Sequence, residues 1–206
     1  MSTTIHFATR LYQTDLSQGR SGGALLEDLS QDCAMMAEED EAGQAWSEAN
    51  NYPGYTSYSS PGPLWTRTTA FADLKRLLDR HARAFAEDLG FDLGDGKLRL
   101  DSLWVNVLAP GGTHTSHIHP HSVISGTVYV EIPEGTSGLK LEDPRLAMMM
   151  AAPMRKADGP ADQQPFVYLT PTPGVLLMWE SWLRHEVPAN LADTERVSIS
   201  FNYGWR

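Results

Sequence analysis

The chain has 206 residues, 41% of them hydrophobic and 20% charged, which is ordinary for one soluble globular domain with a substantial core. Its formal net charge of −10 argues against a nucleic-acid-binding or anionic-membrane surface, and no apolar run is long enough for a transmembrane helix. The lone cysteine, Cys33, excludes an intrachain disulfide, and the N-terminus shows no signal-peptide core, so a cytoplasmic location is expected.

In chain order, Thr4 to Leu11 has the composition of a short strand. Leu25 to Ala42 reads as a helix, with Leu25, Leu26, Leu29, Cys33 and Met36 on one stripe and Gly43 as its stop. On that stripe Cys33 is expected to be a buried structural thiol. Asn50 to Pro63 is a turn-rich loop carrying Tyr52, Tyr55 and Tyr58, read as a packed connection or a lid over a pocket. A second helix is predicted over Ala70 to Leu89. Thr69 caps it, Phe71, Leu74, Leu78, Phe85 and Leu89 form its apolar stripe, and Gly90 takes the left-handed C-terminal position. His81 reads as a solvated histidine on that helix, and Gly90 to Gly96 as a turn.

From there strands dominate: Leu98 to Leu108, Val123 to Ile132, Gly138 to Leu141, Phe166 to Leu169, Val175 to Trp179 and Arg196 to Tyr203. Met148, Met149 and Met150 fall in a longer loop, as gap fillers or part of a pocket wall. Helices first and strands after predict an α+β, mainly β domain with the helices on one side of an antiparallel core. We expect one domain, with residues 1–97 as N-terminal strand and support helices and residues 98–206 as the core.

Alternation within two strands points to a cavity. Ser125, Thr127, Tyr129 and Glu131 share one face of the first, opposite Ile124, Val128, Val130 and Ile132. Arg196, Ser198, Ser200 and Asn202 share one face of the last, opposite Val197, Ile199, Phe201 and Tyr203. An exposed face would carry more Lys and Glu. These hydroxyls and amides suit the wet interior of a small barrel whose apolar outside packs on the helices.

Four of the seven histidines, His114, His117, His119 and His121, fall within eight positions. Imidazole is the commonest protein ligand for transition metals. Residues two apart on a strand share a face, so His117 and His119 can grip one ion. A catalytic site needs about three protein ligands, and His185 is the remaining candidate. His121 stays open as an alternative ligand; His114 is expected at the surface or behind the ligands. Arg196, on the polar face of its strand, can hold the far carboxylate of an acidic co-substrate in a bidentate grip, and Tyr129 can add a phenolic hydrogen bond.

Asn106, His117-Ile-His119-Pro, Ser125-Gly126-Thr127-Val-Tyr129, Glu142-Asp143-Pro144-Arg145, Pro173-Gly174-Val-Leu-Leu, His185-Glu-Val-Pro188 and Arg196-Val-Ser-Ile-Ser-Phe-Asn202 together resemble a family of 2-oxoglutarate/Fe(II)-dependent oxygenases. The likeness runs over Trp104 to Trp205, half the chain. It implies a double-stranded β-helix, or jelly roll, with N-terminal support helices. It implies Fe(II) at His117, His119 and His185, and 2-oxoglutarate salt-bridged by Arg196, with Tyr129, Asn106, Ser198 and Asn202 lining the same site. His119 stands where the best-known members carry Asp, and three imidazoles also suit Zn(II), Ni(II) or Cu(II). The expected activity is a hydroxylase using 2-oxoglutarate and O2 as co-substrates. The alternative is a cupin-like metal protein, or a dioxygenase that does not use 2-oxoglutarate. A homodimer is an open expectation on which no residue reads.

Overall fold

The computed structural model describes residues 2–18 and 22–206. Its elements are β1 (Leu11–Asp15), α1 (Gly22–Glu39), α2 (Glu41–Ala49), β2 (Gly54–Thr56), α3 (Thr69–Leu89), β3 (Leu98–Leu108), β4 (His114–His117), β5 (Ile124–Glu131), β6 (Leu139–Glu142), β7 (Phe166–Leu169), β8 (Val175–Glu180), β9 (His185–Val187) and β10 (Arg196–Trp205). The strands form two sheets. The larger has the order β1-β8-β5-β10-β3-β2 and the smaller β4-β9-β6-β7, with every pairing antiparallel. The architecture is the expected double-stranded β-helix with helices on one side.

The helices form where the pattern demands. In α3, Phe71, Leu74, Leu78 and Phe85 are fully buried. Each contributes about 2 kcal/mol by leaving water. They meet the outer face of the larger sheet, where Ile124, Val128, Ile199 and Phe201 complete one core. The apolar faces of β5 and β10 therefore point at the helices, and their polar faces turn inward. A second core, including Leu108, Tyr129, Leu139 and Leu177, closes one end of the space between the sheets. Gly126 lets β5 pass under this packing, since a Cβ there would meet the Phe201 ring at 2.3 Å.

Several expectations are corrected. The first strand is Leu11–Asp15, not Thr4 to Leu11. Phe7 has φ +58 and is 96% exposed, which interrupts an extended run, and the free edge of β8 pairs from Leu11 onward. The first helix is two helices. They part at Asp40, whose carboxylate accepts from Tyr55 Oη at 2.8 Å and from Ser60. Gly43 is no stop but lies inside α2, where a Cβ would strike Asp40 and Tyr55. Thr68, not Thr69, caps α3, its hydroxyl accepting from the Phe71 N–H, and Gly90 does take the left-handed position at φ +73. His81 is half-buried against the Tyr12 hydroxyl at 2.8 Å, so it is no free surface histidine. Met148 and Met150 are exposed, neither filling a gap nor lining the main cavity. The turn-rich loop contains a strand, β2, which together with β1 extends the larger sheet from the N-terminal part of the chain. Cys33 is buried and unpaired, as its stripe requires, and burial pushes its thiol pKa up.

Candidate metal and co-substrate centre

Between the two sheets lies a cavity of about 620 Å³. β4 and β9, neighbours in the smaller sheet, bring His117 opposite His185. His119 lies just beyond β4, its backbone N–H held by the Ser181 carbonyl at 3.0 Å. The three rings converge: Nε2 of His119 is 3.3 Å from Nε2 of His185, and one nitrogen from each of the three lies within 4.8 Å of the others. An ion with metal–nitrogen bonds of about 2.1 Å holds adjacent ligands about 3 Å apart, so the cluster has the right scale.

The ring protons are assigned by their neighbours. Nδ1 of His117 faces the Thr115 carbonyl at 2.6 Å, and Nδ1 of His185 faces the Leu183 carbonyl at 2.8 Å. A carbonyl only accepts, so both Nδ1 atoms carry the proton and both Nε2 lone pairs are free toward the cluster. Burial lowers the pKa of His119 to about 4, aided by nearby His117. Burial likewise lowers His185 to about 3, although its carbonyl bond opposes the shift. These two rings are neutral at physiological pH, the form that ligates metal.

His121 is exposed on the turn after His119, with φ +75, and stands outside the cluster. His114 was expected at the surface or behind the ligands; it lines the cavity itself. A register shift between His114 and His117 makes three residues of β4 span two of β9, so both histidines turn inward although strand parity would oppose them. Nε2 of His114 lies 2.7 Å from the Tyr52 hydroxyl, which also donates to Asn106 Oδ1 at 3.2 Å. Tyr52, His114, Trp46, Trp104 and Trp179 are cavity residues to which sequence reasoning gave no place in the site. Three tyrosines in one turn-rich loop were the available signal for the first.

Arg196, Ser198, Ser200 and Asn202 all face this cavity from β10. Asn106 joins them from β3, its side-chain amide donating to Ser200 at 3.1 Å. Arg196 is 3% exposed, its guanidinium 5.3 Å from the centre of the Tyr129 ring. Burial pulls its pKa down, and neighbouring Tyr129 and Tyr52 partly restore it. Arg196 Nε, Tyr129 Oη and Trp179 Nε1 are buried without a hydrogen-bond partner among the described residues. Native proteins rarely leave such groups unsatisfied, and the donors fit an anionic guest. Among the described residues that line the cavity there is no Asp or Glu.

Three converging imidazoles, that of His185 buried, and a buried arginine thus lie inside one jelly roll. Residues 102–202 match the model of a family described as "Putative 2OG-Fe(II) oxygenase". That stretch holds the imidazole cluster and Arg196, and this jelly-roll half of the chain belongs to the family. The protein is a 2-oxoglutarate- and Fe(II)-dependent oxygenase. No curated protein matches the sequence. Among solved structures, a Pseudomonas putida prolyl-4-hydroxylase is 19% identical, with TM-score 0.61 over 95% of this chain and 93% of that one. The epimerase SnoN, in complex with Fe3+, alpha ketoglutarate and nogalamycin RO, is 14% identical, with TM-score 0.62 over 95% and 79%. HygX from Streptomyces hygroscopicus, with nickel and 2-oxoglutarate bound, is 13% identical, with TM-score 0.55 over 95% and 82%. These likenesses establish the shared fold, and no finding favours the cupin-like alternative. No helix among the described residues is long and apolar enough to cross a membrane.

Proposed function

We propose that His117, His119 and His185 hold the Fe(II) of this oxygenase. Arg196 takes the far carboxylate of 2-oxoglutarate, with the Tyr129 ring packed against its guanidinium; Ser198 and Asn106 line the cavity beyond it, and Asn202 lies six residues farther along β10. The observation that carries this reading is the pairing of three converging imidazoles with a buried, under-partnered Arg196 in a cavity without carboxylates. With neutral ligands, the ion keeps its full positive charge and, with Arg196, complements a dianion.

When bound, the metal would supply the redox-active Lewis acid for oxidative decarboxylation of the oxo acid by O2. The balance is substrate C–H plus 2-oxoglutarate plus O2, giving the alcohol, succinate and CO2. The chain's own part is positional. Thr115 and Leu183 aim two ligand nitrogens, and Arg196 with Tyr129 orients the co-substrate. The two sheets and Trp179, whose ring centre is 4.8 Å from that of His185, restrict water. A cytoplasmic location, expected from the single cysteine, belongs to the same reading.

The test is succinate formation from 2-oxoglutarate by tag-free protein loaded anaerobically with Fe(II), then given O2 and ascorbate. We expect slow uncoupled turnover and about one bound Fe(II) per chain, the stoichiometry of a single site. Full metal loading with no succinate, whatever substrate is offered, overturns the proposal.

A further inference from the structure

The imidazoles and Arg196 account for the middle and one end of the cavity, and the opposite end carries different chemistry. Trp104 faces inward from β3, paired with Ser200 of β10. Its ring centre is 6.2 Å from that of His119 and 5.4 Å from that of Tyr58, which meets it edge to face. Tyr58 in turn is 5.9 Å from Trp46. Three rings thus form a continuous wall from the imidazole cluster toward solvent, and Tyr58 is 59% exposed at its outer part. An exposed tyrosine fixed between two tryptophans presents a preformed aromatic face. Tyr58 and Trp104 also border a second cavity of about 330 Å³, so there is room for a substituent beyond them; its two charged groups are already engaged, Asp101 with Arg206 at 2.9 Å and Arg67 with the Pro61 carbonyl at 3.0 Å.

The charge pattern is as informative as the rings. The chain has 26 acidic and 16 Lys and Arg residues, yet Arg196 is the sole Lys, Arg, Asp or Glu among the described residues lining the main cavity. A zwitterion at the aromatic wall would leave at least one charge without a counter-charge, at a large desolvation cost. An anion would be drawn to Arg196 instead. A cation would be attracted to the ring faces. These rings, however, pack on one another, Tyr58 edge to face on Trp104 and tilted against Trp46, rather than opening around a vacant centre, and Arg196 repels from within.

We propose that the primary substrate is a neutral, ring-bearing organic molecule whose ring lies against Tyr58 and Trp104, with the bond to be oxidised directed at the imidazole cluster. The role of substrate rests on the oxygenase reading; the preference of the wall for neutral rings does not.

The test is a saturation-transfer NMR titration on the full chain, metal-free and loaded with Zn(II) and 2-oxoglutarate. The probes are indole and N-acetyl-prolinamide as neutral rings, against L-proline, benzoate, tetramethylammonium and N-methylacetamide. The neutral rings are expected to bind both forms at least tenfold more tightly than the other four. Tyr58→Ala should weaken them about tenfold, the upper range for one aromatic contact, and Tyr58→Phe should restore them. Trp46→Leu gives a second reading of the wall if Tyr58→Ala is misfolded. Tyr168→Ala, whose exposed ring lies on β7 outside the cavity, should change nothing. Equal binding of the charged or acyclic probes, no binding of either ring, or indifference to both wall variants overturns the proposal. Failure of 2-oxoglutarate to bind the metal-loaded wild type would instead sink the oxygenase reading, leaving ring binding by the metal-free chain to judge the wall.

Discussion

Arg196→Met separates a functional cation from a structural one. In the free protein the guanidinium is buried, one of its donors has no partner, and its visible compensation is the Tyr129 ring at 5.3 Å. That contact contributes roughly 1–2 kcal/mol. Burying the charge costs several kcal/mol. Methionine keeps an unbranched apolar stem and removes the charge. The ligand-free variant is therefore expected to melt no lower than wild type. Binding should change in the opposite sense. Loss of a buried bidentate partner costs about 2–5 kcal/mol, which is roughly 30-fold to 4,000-fold in 2-oxoglutarate affinity. The assay is thermal unfolding of Ni(II)-loaded protein. With 2-oxoglutarate at 100 times its Kd, binding stabilises wild type by about 2.7 kcal/mol. For a chain of this size that raises Tm by roughly 5–11 °C. The same concentration should stabilise the variant by at most about 0.9 kcal/mol, a shift of roughly 3 °C or less, as the linkage relation requires. A variant that keeps the full ligand-induced shift, or that loses several degrees without ligand, would refute the reasoning.

Two further outcomes are expected. His185→Ala should reduce bound Fe(II) from about one equivalent to a small fraction by elemental analysis, whereas His121→Ala, outside the cluster, should retain it. Gly126→Ala should destabilise by about 1–3 kcal/mol or more, read by urea titration, because its Cβ would lie 2.4 Å from the Leu177 carbonyl oxygen as well as against Phe201.

What could be read from the sequence was whatever repeats with the period of its element. The stripe of α3 and the two-faced strands β5 and β10 gave the core, the cavity wall and the inward direction of Arg196, because burial selects one face and the period carries it along the strand. His117, His119 and His185 were legible through residue chemistry, since imidazole has few roles beside an acidic co-substrate's cation. Features that depend on breaking a period were hidden. The irregularity in β4 reverses the parity of His114, and the positive φ of Phe7 moves the first strand. The split between α1 and α2 depends on Asp40 meeting Tyr55 and Ser60, a tertiary contact that no helical periodicity encodes. Tyr52 touches Asn106 across 54 positions, a tertiary contact that a cluster of loop tyrosines hints at but does not place.

The contrast between a chain of net charge −10 and a cavity lined by one arginine and no acids also bears on traffic. A dianion approaching from solution first meets a repelling surface field and is rewarded only after it has passed the mouth. Capture is then slow at low ionic strength and quickens as salt screens the exterior, the reverse of an enzyme that steers its ligand inward. Succinate, a dianion as well, would be repelled by the same field once outside the mouth. The surface thus opposes capture of the co-substrate and recapture of the product alike, and the direction of turnover is left to the chemistry.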